Sequence, residues 1–354
     1  IPPECPNMTR KSLWAVVLAG GAGTRFWPLS TPTTPKQFLP LVTDEPLLAD
    51  TVARFAPMIP PERTLVVTGA RLTDAAHRAA PSLPRENILG EPHPAGTAAA
   101  LAWAAQTIEA REPGAVMCCV HADWAIANPQ RFRETLSAAA TLAPTRGALV
   151  TVGIVPTRPD PGFGYILPGE LLEGSARRVS RFYEKPSRER AAELIAYGGL
   201  WNSGIFVWEA MRYLNEVRQR TPEIADALAA PPGDTAAFFA GVHAPISVDV
   251  GVLERSTNVL VIPGDFGWDD IGTWGSLRRV RPLDANGNAS HGDTVLHESY
   301  HNVVHAMEGT VVLYGVDNLV VVTKAGLTVV TTVDRATDLK TLLGALRPDL
   351  RDQP

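Results

Sequence analysis

Cysteine is scarce in this chain, with three residues in 354, at positions 5, 118 and 119. Three thiols cannot build the multi-bridge framework of a disulfide scaffold. Cys118 and Cys119 are adjacent in the apolar run A-V-M-C-C-V. Alternate strand side chains face opposite ways, so both are read as small core residues rather than metal ligands or a redox pair. The eight histidines form no H-E-x-x-H string, and zinc is not expected. No apolar run approaches the roughly 18 to 20 residues of a membrane span. The start, I-P-P-E-C-P-N-M-T-R-K-S, lacks the apolar centre of a secretory signal. A cytoplasmic protein is expected, with residues 1–12 as a flexible tail. Positive charge is not in excess either: 32 Lys and Arg against 37 Asp and Glu leave a net −5. Nothing in that balance points to nucleic acid or an anionic membrane as partner.

Lysine is the scarcest cation, at positions 11, 36, 185, 324 and 340 against 27 arginines. Lys36 and Lys185 both stand beside prolines in motif-like strings. An ammonium is a compact point charge, so a site shaped around one oxygen would resist exchange for arginine.

What the chain does have is a bare-backbone turn after a buried strand, in W-A-V-V-L-A-G-G-A-G-T-R-F-W-P-L-S-T-P-T-T-P-K-Q-F-L-P, residues 14–40. Ala15 to Leu18 has the length and branching of a parallel strand. Gly20, Gly21 and Gly23 let the backbone turn and approach a ligand closely. With Arg25 and Lys36 they would point N–H groups and charge at phosphates. Neither G-x-x-x-x-G-K-[ST] nor G-x-G-x-x-G is matched.

The stretch from Leu18 to Lys36 resembles the signature of the sugar-1-phosphate nucleotidyltransferases. Its P-K-Q-F-L ending resembles the mannose-1-phosphate guanylyltransferase branch. The surrounding pattern suits an α/β fold with an open, mostly parallel sheet. Strands are predicted at 64–69, 88–90, 115–120 and 148–155, with helices at 74–80, 97–111 and 131–143. In the resembling family this is a Rossmann-like nucleotidyltransferase sheet, whose ligand crevice lies beyond the carboxyl ends of the strands. The catalytic domain is expected over 13–284. From 285 to 354, β-branched runs spaced every 8 to 12 residues or so predict a small β-rich domain ending in a helix over 336–346. The resemblance implies a β-helix-like form for it.

Past the strand at 115–120 comes H-A-D-W-A-I. Asp123 would serve locally as a turn former, and the resemblance makes it a Mg²⁺ ligand, with Mn²⁺ as the alternative ion. Where this chain has His121 and Trp124, the family usually shows Pro and His. The second ligand implied is Asp270, from W-D-D-I-G-T-W, and its neighbour Asp269 would face away. The resemblance makes Arg25 and Lys36 catalytic. It gives the nucleotide Leu18, Gly20, Gly21, Gly23, Thr24, Glu91, Gly96 and Thr97. At the base loop, Ala95 and Gly96 replace the family's Arg-Asn pair, while Thr97 and Ala98 match. Locally, Gly96 is also a permissive N-cap.

G-F-G-Y-I at 162–166, F-Y-E-K-P at 182–186 and W-N-S-G-I-F at 201–206 read as loops at strand ends. Singly, Glu184–Lys185 could be a surface pair and Asn202 a turn residue. Together they resemble the family's sugar-phosphate pocket, implying roles for Gly164, Tyr165, Glu184, Lys185 and Asn202. Asp249 is added as a sugar-side residue, with a structural role as its alternative.

The implied reaction is transfer of GMP from GTP to α-D-mannose 1-phosphate. The partners are then two small molecules, with no nucleic acid and no membrane, and a homodimer is left open. The alternatives are another hexose-1-phosphate nucleotidyltransferase, using glucose 1-phosphate and a different base, and a non-catalytic nucleotide-sugar sensor.

Overall fold

The computed structural model describes residues 11–21 and 23–351. Cys5 and most of the expected tail lie outside them. The first half alternates strand and helix: β1 (Leu13–Leu18), α1 (Leu47–Phe55), β2 (Thr64–Gly69), α2 (Thr73–Ala79), β3 (Ile88–Glu91), α3 (Thr97–Arg111), β4 (Val116–His121), β5 (Ala125–Ile126), α4 (Pro129–Arg146) and β6 (Leu149–Ile154). Then come β7 (Tyr165–Glu173), β8 (Ala176–Tyr183), α5 (Arg188–Ala196), β9 (Leu200–Glu209), α6 (Ala210–Arg220), β10 (Val259–Gly264) and β11 (Trp268–Asp269).

Nine of these strands form one sheet in the order β3-β2-β1-β4-β9-β6-β10-β8-β7. The parallel-rich sheet expected from the β-α-β rhythm is present in β3-β2-β1-β4 and β6-β10. Antiparallel character enters with β7, β8 and β9. W-N-S-G-I-F is not a loop but the body of β9, wedged between β4 and β6. Asn, Ser and Gly mask its strand character, and the register shifts between Val152 and Gly153, opposite that stretch.

Alternation along β1 places Ala15 and Val17 on one face, and Trp14, Val16 and Leu18 on the other. The first face is covered by α1, α2 and α4 through Leu48, Val52, Phe55, Ala76, Phe132 and Leu136. The second is covered by α3 and α6 through Leu101, Trp103, Ile108, Tyr213 and Val217. Cys118 and Cys119 are both buried, one in each layer. Helix α4 outruns its predicted span. Asn128 caps Arg131 N–H at 3.0 Å, Pro129 takes the first position, Pro144 fits the last turn, and Gly147 closes it at φ 54°. No helix among the described residues is long and apolar enough to cross a membrane.

The last strands, β12 (Ala289–His297), β13 (Val303–Tyr314), β14 (Leu319–Lys324) and β15 (Leu327–Thr332), form a second sheet in chain order. β12–β13 and β13–β14 are parallel and β14–β15 antiparallel. Buried asparagines satisfy the turns between them. Asn288 Oδ1 accepts from Asn302 N–H at 2.8 Å, and Asn302 Oδ1 accepts from Leu319 N–H at 2.8 Å.

This unit shares a core with the segment after the glycine turn. Phe26, Trp27, Leu29, Leu39 and Leu41 pack with Val303, Val320, Val322 and Leu339. Polar side chains tie the same segment down: Lys324 Nζ donates to Pro28 O at 3.3 Å and Arg281 Nε to Leu41 O at 2.6 Å.

Candidate functional site

The site begins where β1 ends. Leu18 is buried in the sheet and its carbonyl accepts Ala122 N–H at 2.9 Å. Ala19 O accepts from Gln37 Nε2 at 2.7 Å and from Thr68 Oγ1 at 2.9 Å. The buried Gln37 thus holds the P-K-Q-F segment under the glycine turn. Gly20 and Gly21 are exposed at the mouth, Gly21 at φ 103°. Gly23 is bare because Lys36 is there. A Cβ at 23 would stand 2.6 Å from both Lys36 Cβ and its backbone nitrogen. Thr24 opens the turn Thr24–Phe26. Arg25, exposed, donates from Nη1 to Gly272 O at 3.2 Å.

Lys36 is 6% exposed and stands at the centre. Its Nζ donates to Asp123 Oδ2 at 3.1 Å and to Asp270 O at 2.7 Å, 5.8 Å from the Phe26 ring centroid. Asp123 follows β4. Asp270 arrives by a route the sequence did not reveal. β10 ends at Gly264, and the ribbon of β11 on β5 then folds back, pairing Asp269 with Ala125. That pairing carries Asp270 to the loop of Asp123. Asp269 turns the other way, accepting from Arg279 Nε at 2.6 Å, Arg279 Nη2 at 3.0 Å and Ile271 N–H at 2.9 Å.

The two carboxylates of the pair differ electrostatically. Burial pushes Asp123 up, but Lys36 and His121 outweigh it and hold the group below the usual carboxylate range. Asp270 is pushed above that range, first by burial, then by Asp269, with Asp123 adding to the push. Asp123 thus adds to the cost of charging Asp270, and two carboxylates of this kind suit a hard divalent cation. Among the described residues no group of three or more His, Cys, Asp or Glu is placed to hold a metal ion.

A second pocket adjoins the first. Asn202 N–H donates to Gly164 O at 2.8 Å, and Asn202 Nδ2 to Asp249 Oδ1 at 2.7 Å. Gly164 leaves room for Glu184, whose Oε2 would stand 2.9 Å from a Cβ at 164. Burial raises Asp249, and Glu184 adds to that. Lys185 sits at the rim at φ 45°, paired with Glu184 Oε1 at 2.8 Å and two-thirds exposed. The side chain of Tyr165 does not join this pocket. It is fully buried, its hydroxyl accepting from Trp201 Nε1 at 3.0 Å and donating to Asp160 O at 3.1 Å. An aromatic beside a glycine motif was here a packing residue.

Gly96 is the N-cap of α3 at φ 83°, where a Cβ would stand 2.3 Å from Ile246 O. Thr97 Oγ1 accepts Val248 N–H at 2.9 Å, and Ala98 N–H donates to Ile246 O at 3.2 Å. Gly96 and Thr97 therefore hold the approach to Asp249. Glu91, at the end of β3, has a buried Oε1 with no hydrogen-bond partner among the described residues, and burial raises its carboxyl to about 7. The folded state then binds the proton more tightly than the unfolded chain. Stability falls as pH rises from the ordinary carboxylate range through about 7. Glu91→Gln should be more stable than the parent at pH 8 by about 1–2 kcal/mol, allowing for partial exposure, and lose that gain by pH 4. Denaturant melts at both pH values measure the difference, and a gain that persists at pH 4 would contradict it.

Sequence reasoning passed over Gln37, Arg279 and His121 as working parts. Gln37 lies within P-K-Q-F-L with no charge to mark it, and Arg279 follows Asp269 by ten residues with no local signal.

Comparison with known proteins shows the family. The sequence profile of the family described as Nucleotidyl transferase matches residues 14–287. The mannose-1-phosphate guanylyltransferase of Escherichia coli K12 is 36% identical over 98% of this chain and 76% of its own length. The alginate biosynthesis protein AlgA of Pseudomonas aeruginosa is 35% identical over 92% of this chain and 70% of its own length. A Thermus thermophilus structure described as a mannose-1-phosphate geranyltransferase superposes with a TM-score of 0.86. It is 34% identical over 94% of this chain and 98% of that one. The profile match and these relatives show that this chain belongs to the nucleotidyl transferase family and is an enzyme of that kind.

Proposed function

We propose that the chain transfers GMP from GTP to α-D-mannose 1-phosphate, giving GDP-mannose and pyrophosphate. The observation that carries this reading is the meeting of Lys36, Asp123 and Asp270 beside the glycine turn, next to a pocket lined by Asn202 and Asp249. The choice of mannose and guanine rests on what the E. coli relative is named for. Residues 13–284 would form the catalytic domain, and 285–354 the small β-rich domain that braces its loop.

An oxygen of the sugar phosphate attacks the α-phosphorus of GTP in line, and the bond from that phosphorus to pyrophosphate breaks. The attacking group is already anionic, so no side chain need remove a proton. The work left to the protein is alignment and charge neutralisation. Lys36, desolvated and fixed, would donate to the α-phosphoryl oxygens. Arg25 and the amides of the exposed glycine turn would hold the departing pyrophosphate. Asn202, Asp249 and Glu184 would bond hexose hydroxyls, with Lys185 near the sugar's phosphate. Asp123 and Asp270 would hold a Mg²⁺ or Mn²⁺ ion, whose chemistry there is neutralisation of phosphate charge.

A grid of four nucleoside triphosphates against mannose, glucose and galactose 1-phosphates, read by pyrophosphate release, tests this. GTP with mannose 1-phosphate should be the best pair. A preference for another base or for glucose 1-phosphate would overturn the substrate assignment, and release from no pair would overturn the reaction.

A further inference from the structure

His121 is the last residue of β4, half-buried between the two pockets. Its ring centroid lies 5.3 Å from that of Trp124. Its Cδ2 and Nε2 lie 3.2 and 3.3 Å from where a Cβ of residue 204 would stand, and that residue is glycine at φ 70° in β9, two positions after Asn202. The imidazole is thus held in place by packing. Asp123, on the loop after β4, and Asp249, on the turn Asp249–Leu253, are both within its electrostatic reach.

A sugar phosphate with its hexose on Asn202 and Asp249, and its phosphate directed at Lys36 and Asp123, must pass this ring. The phosphate would there meet a carboxylate on either side, which favours a fixed N–H donor between them. Lys185, the donor expected from the sequence, is two-thirds exposed and already paired with Glu184. An imidazole offers at least one N–H in either protonation state.

We propose that His121 is a direct ligand of the sugar 1-phosphate, donating a ring N–H to its phosphate oxygen. The proposal rests on the nucleotidyltransferase reading above. A neutral donor lost from a charged acceptor costs about tenfold or more in affinity.

His121→Ala should raise KM for mannose 1-phosphate by about tenfold or more and leave KM for GTP unchanged. By calorimetry it should weaken GDP-mannose, which carries the sugar phosphate, by a similar factor and leave GMP, which lacks it, unaltered. His121→Gln, with an amide N–H near the same place, should recover much of the loss, and His121→Leu should not. Equal losses for GDP-mannose and GMP, or no change in either GDP-mannose affinity or sugar-phosphate KM, would overturn the proposal. If the alanine variant does not fold, the Gln and Leu variants decide it: a loss confined to Leu supports it, and identical behaviour overturns it. A parent protein that binds no GDP-mannose and releases pyrophosphate from no pair would instead remove the functional reading itself.

Discussion

Replacing Lys36 by methionine is expected to lower kcat by about two to three orders of magnitude with both substrates saturating, as when one preorganised donor is deleted. Lys36 is nearly sealed from solvent, and its ammonium already holds Asp123 and the Asp270 carbonyl. Its charge therefore stands in position before substrate arrives and acts most strongly on the charge that develops at the α-phosphorus. Arginine should not rescue it, because Gly23 packs directly on the base of this side chain and the acceptors suit a point charge. Lys185→Met should behave differently. That lysine is mostly exposed and shares its charge with Glu184, so its loss should appear as a raised KM for the sugar phosphate with kcat little changed. Steady-state kinetics with each substrate varied would separate the two. A KM effect of Lys185→Met on GTP, or an unchanged kcat in Lys36→Met, would mean that the roles are misassigned.

Much of this arrangement was legible in the sequence, where local chemistry and fold agree. Helix α3 spans the predicted 97–111 because an alanine-rich run needs only a permissive cap, and Gly96 supplies it. β1 and β4 were readable because both faces of these strands are buried, which leaves an unbroken apolar run. β9 was not, since Asn202, Ser203 and Gly204 interrupt the run and only tertiary contacts make it a strand. Ser203 Oγ bonds Val152 O at 2.5 Å, and Asn202 bonds Gly164 and Asp249. The site followed the same rule. Asp123 could be placed from its own strand, whereas the orientation of Asp270 depends on a two-residue ribbon with β5 that has no periodicity to detect. Neither local pattern nor spacing could show that Tyr165 would spend its hydroxyl on Asp160 and Trp201, or that the C-terminal strands would brace the loop of Lys36.

The adjacent aspartates allow the sharpest test. Asp270→Asn keeps the shape of the side chain and removes its charge, and should cost about two to three orders of magnitude in kcat. Asp269→Asn, one residue away, should cost far less in turnover, because that carboxylate points at Arg279 and the Ile271 amide rather than at Lys36 and Asp123. Its loss should appear in stability instead, about 1–3 kcal/mol, since it breaks a two-point bond to an arginine that is only partly exposed. Asp123 and Asp270 would serve one cation, so Asp123→Asn combined with Asp270→Asn should be little worse than either alone. Activity should need Mg²⁺ or Mn²⁺ and stop with chelator. Mn²⁺ binding followed by electron paramagnetic resonance should be lost in Asp270→Asn and kept in Asp269→Asn, which separates a lost ligand from a damaged fold. Two carboxylates beside the phosphates of both substrates repel unless positive charge stands between them, and at this pair Lys36 supplies one charge only. Full turnover in chelator, or equal kinetic damage from Asp269→Asn and Asp270→Asn, would therefore rule out this pair as the metal site.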